Sequence, residues 1–310
     1  MRSGEGLPGS CSVLWEDQGL PAWGSAAPRN FLVGLQQDGP WGHQALTQSR
    51  LDPELGAALR RAGDAHGGHV VLIRKVGPPS DSDEAGRHVI VSGGWASAPW
   101  VVAGRLDDPA RLLELPWEML SGPEPPDWPE LSPAPTTLLV CTNAKRDACC
   151  AVRGRPLAAR CAAERPGQVW EASHLKGHRF APTALVLPTG QVLGRLTPEL
   201  GIAAVDAAAD GRYVAPGPRH DRGRSALDPA SQAADAAVRA LTGENRIGDL
   251  GVIPGDDGIV VLHADGRLWT VDVVARTRGV RPNSCGDAAL PSLVWEATVR
   301  PSLTLNENPA

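Results

Sequence analysis

The stretch Thr136–Phe180, TTLLVCTNAKRDACCAVRGRPLAARCAAERPGQVWEASHLKGHRF, decides the fold. "TTLLVC" is an apolar run after Pro135 and predicts a buried strand. "RPLAARCAAERPG" predicts a helix with Pro156 near its start and Pro166-Gly167 after its end. "QVWEAS" then returns as a second strand. In a strand-helix-strand unit the two strands run parallel, and their ends meet at one sheet edge. Cys141 closes the first strand, and His174 and His178 follow the second. Sulfur and nitrogen donors therefore converge.

The histidine segment, SHLKGHRF, does not suit a helix. Histidines at i and i+4 share a face only on a helix, and Gly177 there costs about 1 kcal/mol relative to Ala. Between Cys141 and Cys150 lie eight mostly polar, Gly-free residues, a length that wraps around an inorganic cluster as a loop. Two thiolates and two imidazoles suit either a structural zinc or a [2Fe-2S] cluster with sulfur on one iron and nitrogen on the other. Zinc modules space their cysteines two to four apart, so the long interval favours the cluster. Both readings stay open on spacing.

Downstream, "TALVLPTGQVLGRL" predicts a hairpin, and Thr197-Pro198 opens a helix over TPELGIAAVDAAADG. Upstream, "NFLVGL" reads as a strand, and Asp52-Pro53 caps a helix over LDPELGAALRRAG. "HVVLIRKV", "HVIVSGG" and "WVVAGRL" are further strands, and Asp108-Pro109 opens another helix through DDPARLLELPWEML. Gly104-Arg105-Leu106 matches Gly194-Arg195-Leu196, so the halves repeat as strand, helix, strand, hairpin, helix. That is the order of a thioredoxin-like α/β layer. In this register Leu35 and "RKVGPPS", Arg74–Ser80, replace the ligands, and the first half holds no metal.

The six prolines of Ser121–Thr136 predict an extended connector. The expected organisation is an N-terminal clusterless thioredoxin-like unit over 11–120, a connector over 121–136 and a metal-binding thioredoxin-like unit over 137–225. An extension over 226–310 follows, with a helix from Asp228-Pro229, a hairpin at Asp265-Gly266 and a fraying tail, Ser302–Ala310.

At 310 residues, 42% hydrophobic and 21% charged, the chain can bury a sizeable core. A net charge of −5 without any basic stripe argues against nucleic-acid binding. No run approaches a membrane span, and the start lacks a hydrophobic signal core, so a cytoplasmic protein is expected. Six cysteines are too few for a disulfide scaffold, and the crowding of three of them between Cys141 and Cys150 points to metal or redox chemistry. Cys11, Cys161 and Cys285 read as scattered buried thiols, and Trp170 as core. His43, His66, His69, His88, His220 and His263 show no ligand-like grouping.

"VCTNAKRDACCAVRGRPLAA", "VWEASHLKGHRFAPTALVLPTG" and "LGRL" resemble the sucrase/ferredoxin-like family of thioredoxin-fold [2Fe-2S] proteins. The family pattern is Cys, Arg-Asp, Cys, then a His-x-Gly-Gly-His or similar segment. Cys141, Arg146-Asp147, Cys150, His174 and His178 match it, and Lys176 departs where many members have Gly. The N-terminal "CS", "GPWGHQALTQSRLDPELGAAL" and "VVLIRKVG" extend the likeness over about Cys11–Leu196. Related fungal members are bis-histidinyl, non-Rieske [2Fe-2S] carriers. The resemblance therefore implies the ligand set Cys141, Cys150, His174 and His178, with Cys150 rather than Cys149 by the family spacing. It also suggests a cis bond before Pro182.

The expected function is a non-catalytic electron carrier served by a separate reductase and acceptor, because no flavin, nicotinamide or phosphate-loop fingerprint occurs. Lys145, Arg146 and Arg179 are candidates to guide an acidic partner, and Arg146 with Asp147 also reads as an ion pair within the loop. The family name also raises sucrose cleavage, which needs two carboxylates facing one bond; adjacent Asp256 and Asp257 in "GDDG" are poorly placed for that. A thiol-disulfide centre at Cys149-Cys150 would need a strained vicinal ring.

Two ferric ions, two sulfides and two thiolates sum to zero beside neutral imidazoles, against −2 for four thiolates, so the potential should lie above that of an all-cysteine ferredoxin. A reduced, negative core raises imidazole basicity. The midpoint potential should then fall by up to about 59 mV per pH unit between the oxidised and reduced pKa values. Protein-film voltammetry tests this, and a potential flat from about pH 5 to about pH 10 contradicts imidazole ligation.

Overall fold

The computed structural model describes residues 7–77 and 86–300. Pro78–Ser80 of the Arg74–Ser80 stretch and the tail Ser302–Ala310 lie outside them. Six α-helices are assigned among these residues: α1 (Cys11–Glu16), α2 (Ala45–Gln48), α3 (Pro53–Ala65), α4 (Ala148–Glu164), α5 (Pro198–Ala209) and α6 (Pro229–Thr242). None is long and apolar enough to cross a membrane.

The first half contributes β1 (Leu32–Gln36), β2 (His69–Lys75), β3 (Arg87–Gly93), β4 (Trp100–Leu106) and β5 (Leu131–Pro133). The second contributes β6 (Thr137–Cys141), β7 (Val169–Ala172), β8 (Ala184–Leu187), β9 (Gln191–Leu193) and β10 (Asp221–Arg224). All ten form one mixed sheet, ordered β10-β9-β8-β6-β7-β2-β1-β3-β4-β5. β1 pairs parallel to β2 and antiparallel to β3, which pairs with β4. β6 likewise pairs parallel to β7 and antiparallel to β8, which pairs with β9. The two sets meet where β2 runs antiparallel to β7, with Arg74 opposite Glu171.

Alternation along each strand divides the core. Val33, Leu35, Val70 and Leu72 pack with Leu59 of α3, Trp100 and Trp117 under the first half. Leu138 and Val140 pack with Leu157 and Ala158 of α4 and Val205 of α5. The opposite face carries Leu32, Val71, Ile73, Leu139, Cys141 and Trp170 in one cluster that spans both halves. Each fully buried Val, Leu or Ile here is worth about 1.5–3 kcal/mol. Trp170, expected in the core, is buried and stacked by His88.

The helix caps follow the sequence signals. Asp52 accepts from the Leu55 amide at 2.8 Å, Thr197 from Leu200 at 3.3 Å, and Asp228 from Ala230 and Ser231. Two helices differ from expectation. α4 starts at Ala148, not beside Pro156, because Asp147 caps it by accepting the Cys149 amide at 2.9 Å. Pro156 lies inside it and withholds one helical hydrogen bond. The helix expected after Asp108 is instead two 3-10 stretches, Pro109–Glu114 and Trp117–Met119, separated at Pro116, which lacks an N–H and disfavours helix at Leu115. Within Ser121–Thr136, Trp128 enters the first-half core and β5 pairs with β4.

Beyond β10, α6 packs on a second, four-stranded antiparallel sheet of β11 (Leu250–Gly255), β12 (Gly258–His263), β13 (Leu268–Arg281) and β14 (Leu290–Val299). The hairpin at Asp265-Gly266 joins β12 to β13, and β11 and β14 widen it. The β13–β14 connection returns over the start of α4, where the Cys285 amide donates to Asp147 at 2.8 Å.

Gly154 lets α4 lie against the end of β6: a Cβ there would sit 2.3 Å from the Cys141 carbonyl oxygen. Gly154→Ala should therefore destabilise the chain by about 1–3 kcal/mol in urea unfolding, despite the better helix propensity of Ala. An unchanged midpoint contradicts this packing.

Candidate metal centre

Cys141 is the last residue of β6, its amide donating to the Thr183 carbonyl at 2.9 Å. The next turn is built by Asn143, whose side chain accepts from the Lys145 amide and donates to the Gly42 carbonyl at 3.0 Å. Thr142 donates to buried Glu171 at 2.7 Å, and Glu171 also accepts from Arg74 Nε at 2.8 Å across the β2–β7 junction. Arg74 is in turn stacked on Trp41, 4.4 Å from the ring centre. The span between Cys141 and Cys150 is thus a short loop followed by the first turn of α4, not a continuous loop.

Adjacent residues on a helix look in different directions. Cys150 joins Cys141 in the face shared by both halves, and its sulfur lies 3.4 Å from His178 Nδ1. Cys149 turns away toward Cys11 and Cys285. The two thiols do not face each other across a vicinal ring.

After β7, Ser173 ties the chain to β2: its amide donates to the Leu72 carbonyl and its hydroxyl accepts the Leu72 amide. His69 Nε2 then donates to the His174 carbonyl at 3.1 Å. Lys176 (φ 59°) and Gly177 (φ 77°) both adopt left-handed conformations, which fold the segment back into a 3-10 turn, His178–Phe180. This conformation favours Gly at the position where the chain carries Lys176. The bond before Pro182 is cis. The His174 and His178 rings stack with centroids 5.0 Å apart. His174 Nδ1 is buried and has no hydrogen-bond partner.

The electrostatics favour a donor set. The Cys141 thiol is held well below its ordinary range, first by the hydrogen bond with Cys150 and also by His174, while Cys150 is pushed up by the proton the pair shares. Burial pushes His178 down to about 4, leaving its imidazole neutral.

Several expectations about the surroundings are corrected. A short, polar, Gly-containing segment reads as an exposed edge, yet His178 is 7% exposed and His174 is half-buried. Arg179 lies over Trp15 and Phe180 rather than in solvent, because those rings offer its guanidinium a cation-π seat. Arg146 is not paired with Asp147: its Nη1 lies 2.7 Å from His43 Nε2, while Asp147 is engaged in capping. A cleft of about 320 Å³ opens beside His174, lined by His43, Arg60, His69 and Arg146. Asp256 and Asp257 sit in the β11–β12 turn of the second sheet.

Sequence reasoning missed Arg222, which stands in the polar-looking stretch "HDRGR" and carries no motif. It is 1% exposed, donates from Nη1 to the Lys176 carbonyl at 3.0 Å, from Nε to Ser25 Oγ and from Nη2 to the Ser25 carbonyl, and fills the space where a Gly177 Cβ would stand. Also missed was a second group, Cys11, Asp147, Cys149 and Cys285, whose donor atoms all lie within 4.8 Å of one another. These cysteines are not the separate buried thiols expected. They are 136 to 274 residues apart, so only the tertiary fold unites them.

A family model described as sucrase/ferredoxin-like matches residues 27–216, the span that includes the whole Cys141, Cys150, His174 and His178 arrangement. No curated protein matches the chain, and no solved structure does.

Arg222 braces the histidine turn from behind. Arg222→Ala leaves the Lys176 and Ser25 carbonyls without their charged donor in a buried setting and should cost at least about 2 kcal/mol in chemical unfolding. A midpoint equal to that of the parent chain contradicts this role.

Proposed function

Because the chain belongs to the sucrase/ferredoxin-like family, we propose that it binds a [2Fe-2S] cluster through Cys141, Cys150, His174 and His178 and carries single electrons between separate partner proteins. The observation that carries this reading is the meeting of two buried thiols and two stacked imidazoles at the end of β6 and β7, with His174 Nδ1 buried and unpartnered. An unpaired buried nitrogen is costly and calls for an acceptor of its lone pair. The sucrase/ferredoxin-like family match favours the cluster over a single zinc at the quartet.

Such a cluster supplies a one-electron couple whose potential responds to ligand charge, hydrogen bonding and burial. The chain's own residues set those conditions. Burial keeps His178 neutral and available as a ligand, and the backbone ties of Ser173 and His69 hold the His174 segment in place. Leu175 and Trp170 keep water from the inner side. The His174 side opens to the cleft ringed by Arg60 and Arg146, a face suited to acidic surfaces of a donor or acceptor protein.

The strand orders β4-β3-β1-β2 and β9-β8-β6-β7 support two thioredoxin-like layers, the first without ligands and the second bearing the cluster, followed by the α6 and second-sheet extension from about residue 226. All six cysteines are free thiols, as a reducing cytoplasm would keep them.

Protein purified without air should be red-brown, with about two irons and two sulfides per chain, and His174→Ala/His178→Ala should lose both colour and iron. A colourless parent chain with one zinc at the quartet, or a double variant with unchanged colour and redox behaviour, contradicts the proposal.

A further inference from the structure

We propose that Cys11, Cys149, Cys285 and Asp147 form a second, separate metal site, built for a structural zinc ion. The sulfurs of Cys11 and Cys149 are 3.6 Å apart, those of Cys149 and Cys285 3.2 Å, and those of Cys285 and Cys11 3.6 Å. A tetrahedral zinc with Zn–S bonds of about 2.3 Å sets its sulfurs about 3.8 Å apart, so this triangle is already near one face of the tetrahedron. The carboxylate of Asp147 stands at the fourth corner, 3.8 and 3.9 Å from the Cys11 sulfur.

Asp147 is rigidly aimed. Oδ1 accepts the Cys149 amide, and Oδ2 accepts Ser284 Oγ at 2.7 Å and the Cys285 amide at 2.8 Å, which leaves one lone pair of Oδ1 for a metal. The buried side chains of Ser10 and Ser12 border the Cys149 sulfur, where their hydroxyls can donate to a metal-bound thiolate. Zinc binding releases the thiol protons to solvent and needs no oxidant or reductant. The loaded site carries −2 (one Zn²⁺, three thiolates, one carboxylate), and it sits at the N-terminus of the 17-residue α4 with the half-buried Arg179 guanidinium beside Cys11.

Zinc suits this set better than a disulfide. Bonding any two of three mutually touching thiols leaves the third stranded, whereas a metal uses all three and closes with four protein ligands, the pattern of a structural ion. The ion would join three distant segments: α1, the start of α4 and the β13–β14 connection. α1 lies under the histidine turn through Trp15, whose ring meets Phe180 edge-on at 5.6 Å. The metal would therefore hold the floor beneath His178, yet its ligands are not those of the cluster.

The test is elemental analysis of the full chain, purified anaerobically without chelator, beside Cys11→Ser/Cys285→Ser and His174→Ala/His178→Ala. The parent and the histidine variant should each retain about one zinc, and the cysteine variant should lose it, whatever the iron content proves to be. Zinc-edge X-ray absorption on the parent chain decides the ligands without any variant: three sulfurs and one oxygen are expected. The proposal is overturned by a parent chain without zinc, by a zinc with two sulfur and two nitrogen neighbours, by zinc retained in a folded cysteine variant, or by a Cys149–Cys285 disulfide in the non-reduced peptide map.

Discussion

The parallel pairing of β6 with β7 is the constraint on which the site depends. Four register pairs, from Leu138 opposite Val169 to Cys141 opposite Ala172, bring both strand ends to the same level. A right-handed crossover through α4 then has one side on which to lie, and the chain leaves both strands at one edge. Cys141 and the start of the histidine segment meet there because the backbone hydrogen bonds leave them no alternative. A slip of one residue would turn Cys141 toward the α4 and α5 core, since neighbouring side chains in a strand point to opposite faces.

The first half helps to build this edge. β2 lies against β7, so Arg74 reaches Glu171, Leu72 holds Ser173, and His69 holds the His174 carbonyl. The apolar face shared by the two halves continues from Leu32 and Ile73 to Cys141 and Cys150. A second half with the same strand order thus receives a wall from the first. The depressed basicity of His178 follows from that enclosure.

Much of this was legible in residue order. The apolar runs ending at Cys141 and Ser173, the Asp-Pro and Thr-Pro helix starts, and the repeated order of strands are local signals, and local hydrogen bonding realised them. What was not legible is long-range or competitive. Pro156 looked like a helix start, but the Asp147 cap acts nine residues earlier, and a proline inside a 17-residue helix costs one hydrogen bond rather than the helix. Leu115-Pro116 shows the reverse, where a short apolar stretch lacked the length to override its proline. Cys11 and Cys285 carry no motif, because their meeting depends on two ends of the chain returning to one helix terminus. Arg222 reads as a solvated charge until Gly177 is seen to make room for it. The strands of the second sheet were half seen, since β11 contains Gly and Pro and the outer half of β13 is largely exposed.

The arrangement of α4 gives two neighbouring cysteines two different environments: Cys150 faces His178, and Cys149 faces Cys11 and Cys285. The most direct test is anomalous diffraction at the iron edge from crystals grown without air. The account predicts two adjacent iron peaks enclosed by Cys141, Cys150, His174 and His178. Iron located instead among Cys11, Cys149 and Cys285, or a single metal peak between the two histidines and two cysteines, would contradict it.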